Sequence, residues 1–219
     1  MTQTVAALYV ATGGCYFGLP DVDPWDEARD ARLYDGPHPV VAHPPCQRWG
    51  RYWHGGPSAK VRRVAGDDGG CFAAAYDAVG RFGGVLEHPE ASKAWAAFCI
   101  PRPPRAGGWI LTGYEPLGIG MWTCCVEQGH YGHRARKATW LLYVGHVQPP
   151  ELVWGPSGTR ERLDPGFHSA AERAAAKASG VVPSRMHGRR LTPAENLRTP
   201  LPFRDMLLTL ARFSRTGGR

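Results

Sequence analysis

The stretch Val40-Val41-Ala42-His43-Pro44-Pro45-Cys46-Gln47 decides how this chain is organised. The segment from Pro39 to His43 is mostly apolar and predicts a buried strand. Prolines cannot donate to a ladder of backbone hydrogen bonds, so the two prolines predict a rigid turn directly after this strand. The turn presents one thiol, that of Cys46. A cysteine held in this way is a nucleophile if its thiolate is stabilised; the alternative is a loop cysteine without a role.

A second short apolar run ends on a carboxylate. Val85-Leu86-Glu87-His88-Pro89 predicts a strand that carries Glu87 near its end. A glutamate in this position is usually solvated, so Glu87 alone indicates little. Because Cys46 also follows a strand, the thiol and the carboxylate can converge on one substrate. The two residues together predict a functional site.

Alternating strand and helix patterns predict an α/β sheet with helices on both faces. The predicted strands are Val5–Ala11, Pro39–His43, Val85–Glu87 and Ala138–Val144. The predicted helices are one capped by Asp67-Asp68 that ends near Phe82, a short one after Ser92, one from Ser169 to Ala178, and a last one from Leu201 to Phe213. The composition predicts loops at residues 100–120 and at Trp49–Gly56, the latter exposed over the site.

A chain of 219 residues suffices for one α/β domain with a substantial core. We expect a catalytic core at 1–145, a small recognition or insertion region at 146–188, and a C-terminal segment at 189–219 whose helix packs back on the core. The sequence has no apolar run of transmembrane length and no pattern typical of a signal peptide, which predicts a soluble, cytoplasmic protein. We expect a monomer or a weak dimer.

The net charge of +7 is concentrated late in the chain. An excess of arginine towards the C-terminus, in a chain with 8 tryptophans, favours a polyanionic partner such as DNA or RNA. The alternative is solubility charge on exposed faces. The basic residues in question are Arg134, Arg136, Lys137, Arg185, Arg189, Arg190, Arg198, Arg204, Arg212, Arg215 and Arg219.

The 6 cysteines contain no C-x-x-C pair, and we expect reduced thiols. Cys71 and Cys99 have apolar neighbours in the sequence, which predicts core positions. Cys124 and Cys125 with two nearby histidines, His130 and His133, are a possible zinc set. Adjacent cysteines give poor chelate geometry, so we predict no metal site.

A third motif is the segment Tyr131-Gly132-His133-Arg134-Ala135-Arg136-Lys137, which leads directly into an apolar strand ending at Gly145. In this order and spacing, the three motifs resemble the DNA cytosine-5 methyltransferase family. Pro45-Cys46-Gln47 is similar to its nucleophile loop, and Val85-Leu86-Glu87-His88 to its Glu-Asn-Val motif, with His in place of Asn. The third segment resembles the Tyr-Gly-x-Pro-Gln-x-Arg-x-Arg block. Residues 190–203 loosely resemble the late Leu-Thr-Pro-x-Glu and Phe-Pro stretch, and short phage-encoded relatives look most similar.

The resemblance implies a Rossmann-like methyltransferase fold and a role for each motif. It implies Cys46 as the nucleophile that adds to C6 of cytosine, Glu87 as the acid that binds the base edge, and Arg136 as a helper. Arg134 or Lys137 are alternatives to Arg136, because the block carries one extra residue here. The base must leave the duplex or be unpaired. The implied DNA-binding residues are Gln47, Arg48, Trp49, Arg134, Lys137 and Arg190, with Trp49, Tyr52 and Trp53 available to stack on bases.

The opening of the chain departs from the family. The resemblance implies S-adenosylmethionine as cofactor, with Gly13 and Gly14 after the first strand and Asp21 and Asp23 as substitutes for the acid that binds ribose. The spacing before Cys46 is short, so we predict that the first crossover helix is absent. The alternative is that these acids form a solvated loop.

Three hypotheses follow from the sequence. The first is methylation of cytosine C5 in DNA by S-adenosylmethionine. The second is pyrimidine C5 modification with a different donor or with none. The third is a non-catalytic relative that binds DNA to mask sites or to counter restriction.

Overall fold

The computed structural model describes residues 3–50, 53–54, 63–114, 119–159, 171, 174–175, 178 and 191–215. Within them, seven strands form one sheet: β1 (Val5–Leu8), β2 (Val22–Trp25), β3 (Val40–Ala42), β4 (Gly84–Pro89), β5 (Ile110–Tyr114), β6 (Gly120–Glu127) and β7 (Ala138–Gly145). The helices are α1 (Cys71–Phe82), α2 (Lys93–Ala97), α3 (Pro193–Leu197) and α4 (Leu201–Phe213), with two 3-10 helices, Ala31–Leu33 and Gln128–Tyr131.

The strands lie in the order β2-β1-β3-β4-β7-β6-β5. The first four run parallel, β7 is antiparallel to β4, and β6 and β5 continue antiparallel beyond it. The prediction of an α/β sheet between helices is confirmed, and the architecture is compatible with a Rossmann-like fold. The chain leaves β1 towards β2 on one side and later enters β3 on the other. This reversal is the place where open α/β sheets bind ligands, outside the carboxyl ends of the strands.

Side chains alternate between the two faces of the sheet, and each face is covered by one long helix. Val40, Ala42 and Leu86 pack on the face that carries α1, with Phe72 of that helix among their neighbours. The opposite face belongs to α4. It buries Val5, Ala7, Val41, Val85, Leu141 and Tyr143 together with Phe203, Leu207 and Leu210. Because both faces are covered, the central strands are continuous apolar runs instead of alternating ones.

Local capping explains where the helices begin. The carboxylate of Asp68 accepts hydrogen bonds from the backbone N–H groups of Gly70 (3.0 Å) and Phe72 (2.9 Å), which satisfies donors in the first turn of α1. Ser92 caps α2 by accepting from the N–H of Ala94. Both caps and the bounds of α4 agree with the sequence prediction. Most of the predicted helix from Ser169 to Ala178 and most of the region 146–188 lie outside the described residues.

The prediction of a loop across 100–120 is confirmed for residues 100–109 and wrong from Ile110, where β5 begins. Strand β6, whose residues are almost all buried, was also missed. Cys99 is exposed and Cys71 is half-buried, so their predicted core positions are wrong as well. The physical reason is that Cys99 follows α2 in a left-handed conformation, with φ of 55°, which turns the chain at the surface.

The connection from β1 to β2 contains turns and no helix over residues 9–21, all of which the structure describes. The predicted absence of the first crossover helix is therefore confirmed. No helix in the described part of the chain is long and apolar enough to cross a membrane.

Candidate functional site

A cavity of about 870 Å³ opens at the carboxyl ends of the parallel strands, beside the reversal between β1 and β3. It is bounded by the segments that follow β1, β3 and β4, by the start of β7, and by the chain between α3 and α4. The polar and nucleophilic side chains that line it are Tyr9, Cys15, Tyr16, His43, Cys46, Gln47, Glu87, Lys137, Thr139, Asn196, Arg198 and Thr199. The sequence-predicted pair, Cys46 and Glu87, thus shares one cavity.

A tight turn presents the thiol of Cys46. The carbonyl oxygen of Cys46 accepts hydrogen bonds from the N–H groups of Trp49 (3.0 Å) and Gly50 (2.7 Å). Trp49 is buried, packs against Phe72 and Phe98, and donates its Nε1–H to Asp68 at 2.7 Å. The turn is therefore anchored on α1 through an indole ring. Trp49 is an anchor in the core, which corrects its prediction as an exposed residue that contacts DNA.

Below this turn lies His88, which is fully buried against Phe72 and Trp95. Its Nδ1 pairs with the hydroxyl of Ser92 at 2.7 Å. Burial lowers the pKa of His88 to about 4, although the charge of Glu87 and the carbonyl of Pro45 act in the opposite direction. His88 is therefore neutral at pH 7, and it supports the double proline from the core side.

Glu87 points to the opposite face of β4 from His88, because neighbouring residues in a strand alternate. Its side chain is 14% exposed. Oε2 lies 3.1 Å from Nδ1 of His43, and Oε1 accepts a 3.2 Å hydrogen bond from Nε2 of Gln128. Burial acts to raise the pKa of Glu87, but the hydrogen bond from His43 and the charges of His43 and Lys137 outweigh it, and the net pKa is lowered.

The cation in the cavity is not the one that the motif favoured. Arg136 lies away from the cavity, where its Nε bonds both carboxylate oxygens of Glu127 at 2.9 and 3.1 Å. Arg134 pairs with Glu195 at 2.6 Å and lines a smaller adjoining cavity of about 350 Å³. Lys137, the remaining alternative, lines the main cavity and interacts electrostatically with Glu87 and Cys46. The helper role predicted for Arg136 therefore falls geometrically to Lys137.

Burial raises the pKa of the Cys46 thiol, and the nearby charge of Glu87 raises it further, while the Cys46 backbone and Lys137 lower it. Burial also lowers the pKa of Lys137, against the opposing charges of Glu87 and Cys46. In the free protein the thiol is therefore mainly protonated at neutral pH. A nucleophilic thiolate requires a base that takes this proton.

The residues expected to hold S-adenosylmethionine separate into two groups. Gly13 and Gly14 line the cavity. Asp21 and Asp23 do not. Asp23 bonds Arg29 at 2.6 Å and the Trp25 indole at 2.8 Å, on the far side of β1.

Asp26 directly follows β2, but its carboxylate already accepts a 2.7 Å hydrogen bond from the Thr12 hydroxyl and is not part of the lining. No described residue therefore offers the cavity an acid after β2 for a ribose. The residues present therefore do not fit the adenosyl group.

The predicted nucleic-acid contacts are also divided. Gln47 is exposed at the rim of the cavity and Arg48 is partly buried beside it, whereas Tyr52 and Arg190 lie outside the described residues. Trp53 is half-buried against His54 and Lys93. Of the late arginines, Arg198 lines both cavities.

Three others hold α4 and the residues after it on the core through carbonyl groups. The guanidinium of Arg204 bonds the carbonyl of Cys15, that of Arg212 bonds the carbonyl of Gln3, and that of Arg215 bonds the carbonyl of Phe82. These three side chains have structural contacts, which reduces the free basic surface that the sequence predicted.

Sequence reasoning missed Tyr16, His43 and Gln128 as part of this site. One signal was available: His43 is two residues beyond Val41, as Glu87 is two beyond Val85, so both fall on the same face of neighbouring strands. The described residues contain no group of three or more His, Cys, Asp and Glu side chains arranged to hold a metal ion. No protein-family model, curated protein or solved structure matches the chain.

Proposed function

We propose that this protein modifies C5 of a pyrimidine, most simply cytosine in DNA, through a covalent adduct between Cys46 and C6 of the base. The observation that carries the proposal is the convergence of Cys46, Glu87 and Lys137 in one cavity at the reversal of the sheet. A thiol, a carboxylate and an ammonium group together supply the nucleophile, the proton carrier and the positive charge that such an addition requires.

The addition conserves atoms and charge as follows. Glu87, ionised in the free protein, takes the proton of the Cys46 thiol. The thiolate forms a bond to C6, and the electrons of the C5–C6 double bond shift to C5 and through C4 to N3. Glu87 then donates its proton to N3, so that the net transfer is from sulfur to N3. C5 becomes an enamine carbon that attacks an electrophile.

After the new bond at C5 has formed, the C5 proton passes to water and N3 returns its proton to Glu87. The C6–sulfur bond breaks and releases the Cys46 thiolate, which restores the aromatic ring. Lys137 stabilises negative charge, first on sulfur and then on the ring carbonyl, by an electrostatic effect that is strong in a partly dry site. Arg198, between the two cavities, is available to a phosphate of the strand.

The donor is the part of the proposal that the cavity supports least. S-adenosylmethionine is the donor that the resemblance implies, and it would supply a methyl cation equivalent to C5. Since no described acid after β2 lines the cavity, the second hypothesis, pyrimidine C5 modification with a different donor, is favoured instead. The proposal therefore rests on the adduct and does not depend on the identity of the donor.

A 5-fluorocytosine oligonucleotide tests the adduct, because fluorine at C5 cannot leave as a cation and the covalent complex persists once C5 is substituted. Incubation of single- and double-stranded probes, with and without S-adenosylmethionine, is followed by denaturing electrophoresis and intact-mass analysis. We expect a complex with the wild type and with Cys99→Ser, whose thiol is exposed elsewhere, and none with Cys46→Ser. An adduct in Cys46→Ser would remove Cys46 from the mechanism.

The mass of the complex identifies the donor. An increase of one methyl group that depends on S-adenosylmethionine supports the first hypothesis. Nucleoside analysis of DNA co-expressed with the protein tests the same point in cells. A modified pyrimidine other than methylcytosine would support the second hypothesis, and unmodified DNA together with binding but no adduct would support the non-catalytic one.

A further inference from the structure

We propose that His43 is a positioning residue that keeps Glu87 ionised and oriented for proton transfer, with Tyr16 fixing the imidazole from its other side. This inference rests on the proposed function for its catalytic meaning, but the interaction itself is testable on the protein alone. The three side chains come from the segment after β1, the position directly after β3 and strand β4. Glu87 belongs to a motif that suggested the chemistry, whereas the sequence assigned no role in it to Tyr16 or His43.

The geometry comes from the register of the sheet. Ala42 pairs with Leu86 across the parallel strands β3 and β4, so the next positions, His43 and Glu87, are neighbours on one face. Nδ1 of His43 lies 3.1 Å from Oε2 of Glu87, and Nε2 lies 2.8 Å from the Tyr16 hydroxyl. The Tyr16 and His43 ring centroids are 5.5 Å apart. Both side chains in the His43–Glu87 pair are 14% exposed, and Tyr16 is buried.

With His43 as a neutral imidazole, the donors and acceptors in this chain have one arrangement. An ionised carboxylate is only an acceptor, so Nδ1 of His43 carries the hydrogen that faces Glu87. Nε2 of a neutral imidazole is then an acceptor, and it receives the hydroxyl hydrogen of Tyr16. Burial holds the pKa of Tyr16 well above its usual value, so the phenol retains that hydrogen. The chain is thus Tyr16 to His43 to Glu87, with each hydrogen pointing towards the carboxylate.

The other groups around Glu87 contact its carboxylate differently from His43. Gln128 donates to Oε1 and is itself held by the Thr139 hydroxyl at 3.0 Å. Lys137 and Cys46 face Glu87 from the cavity, and His88, its neighbour in the strand, points into the core. Gln128 is a neutral donor to one oxygen, whereas His43 is the titratable donor to the other. With roughly four acceptor sites on a carboxylate, two are used and the rest are available to thiol and base.

The consequence concerns the protonation state of Glu87 before the thiol proton is transferred. Glu87 must be ionised to accept the thiol proton of Cys46, and burial alone would favour its neutral form. A histidine that donates to Oε2 offsets this effect and fixes the plane of the carboxylate. Removing the donor is expected to raise the pKa of Glu87. The fall of the reaction rate at low pH, the acidic limb of its pH profile, would then move to higher pH by the same amount.

Carbon-13 NMR of the glutamate side chains, titrated between pH 3 and 8, measures the interaction directly. The Glu87 resonance is assigned by its loss in Glu87→Gln. We expect an upward pKa shift in His43→Leu, a smaller one in His43→Asn, which keeps a donor near the Nδ1 position, and little change in His146→Leu, a histidine outside the cavity. An unchanged Glu87 titration in both His43 variants would overturn the proposal.

The pH dependence of 5-fluorocytosine trapping provides the second measurement. His43→Leu should move the acidic limb upwards by about the shift that NMR records, and Tyr16→Phe should move it in the same direction by less. If His43→Leu does not fold, as judged by circular dichroism, His43→Asn carries both measurements. If trapping falls at the same acidic pH in the wild type and in the His43 variants, the proposed role of His43 in the reaction is overturned. No trapping by any variant, together with unmodified DNA after co-expression, would refute the proposed function, while the NMR titration would still decide whether His43 holds Glu87.

Discussion

The buried histidine at position 88 predicts a specific loss of stability in mild acid. His88 is fully buried, and burial lowers its pKa to about 4 from the ordinary value of 6.5 for histidine. Between these two values the unfolded chain binds a proton at this residue and the folded chain does not. Protonation therefore favours unfolding, so the free energy of unfolding is highest above pH 6.5 and decreases as the pH falls towards 4.

The size of the effect follows from the two pKa values. A difference of about 2.5 units at roughly 1.36 kcal/mol per unit corresponds to about 3 kcal/mol. This is a substantial part of the roughly 5–15 kcal/mol that stabilises an ordinary domain. Carboxylates with lowered pKa values, Glu87 among them, lose their contribution mainly below this window, because each loss occurs as the pH falls through the lowered folded-state pKa.

Urea unfolding at intervals from pH 4.5 to 7.5, followed by tryptophan fluorescence, measures the dependence. His88→Asn is the matched variant, because an amide can still bond Ser92 but does not titrate. We expect His88→Asn to be less stable than the wild type at pH 7.5 and the difference to shrink or reverse by pH 4.5. His146→Asn serves as the control. Parallel pH dependence in the wild type and His88→Asn would refute the assignment of the acid sensitivity to His88.

Two further predictions concern the thiol and the turn that presents it. Alkylation of Cys46 by iodoacetamide, measured by peptide mass spectrometry against exposed Cys99, should be slow at pH 7 and accelerate above pH 9. Lys137→Met should slow the alkylation and Glu87→Gln should accelerate it, because Lys137 lowers the pKa of the thiol and Glu87 raises it. Equal rates in all three proteins would contradict these charge interactions. Asp68→Ala should cost about 2–4 kcal/mol in urea unfolding, because a helix cap of about 1 kcal/mol and the partner of a buried indole, about 1–3 kcal/mol, are lost together. Asp67→Ala, a change in an exposed neighbour, should cost little.

The parts of the fold that the sequence predicted are those with strong local signals. Strands β3, β4 and β7 are apolar runs because helices cover both faces of the sheet at these positions. Helix α4 has a clear period, and its predicted bounds agree with the structure. Strand β5 failed because the surrounding Pro and Gly residues indicated a loop. Strand β6 was missed because its two adjacent cysteines were considered as ligands, although both are buried in the sheet.

Only those residues of the site whose position in an apolar run or directly after one marked them could be predicted from the sequence. Cys46 and Glu87 each follow an apolar run, and their approach follows from the parallel pairing of their strands. The contacts of Glu87 with His43 and Gln128 join residues 44 and 41 positions apart in the chain. Such contacts depend on the register of three strands, which composition does not specify. The acids at Asp21 and Asp23 were misplaced for the same reason, since the short connection after β1 puts them on the far side of that strand.

The exchange of roles between Arg136 and Lys137 follows from the backbone that precedes β7. Lys137 has a φ of 41°, a left-handed conformation that a non-glycine residue adopts at a cost of about 1–2 kcal/mol. The bidentate pair between Arg136 and Glu127 bridges the two ends of the β6–β7 connection and offsets that cost. With Arg136 held there, the next side chain enters the cavity.

A lysine suits this position better than an arginine for the proposed chemistry. Burial lowers the pKa of an ammonium group, whereas a guanidinium remains charged under all ordinary conditions. The pKa of Lys137 is also sensitive to both neighbours, since the charges of Glu87 and Cys46 raise it. The extra residue in the basic block thus places in the cavity an ammonium group whose pKa depends on Cys46 and Glu87.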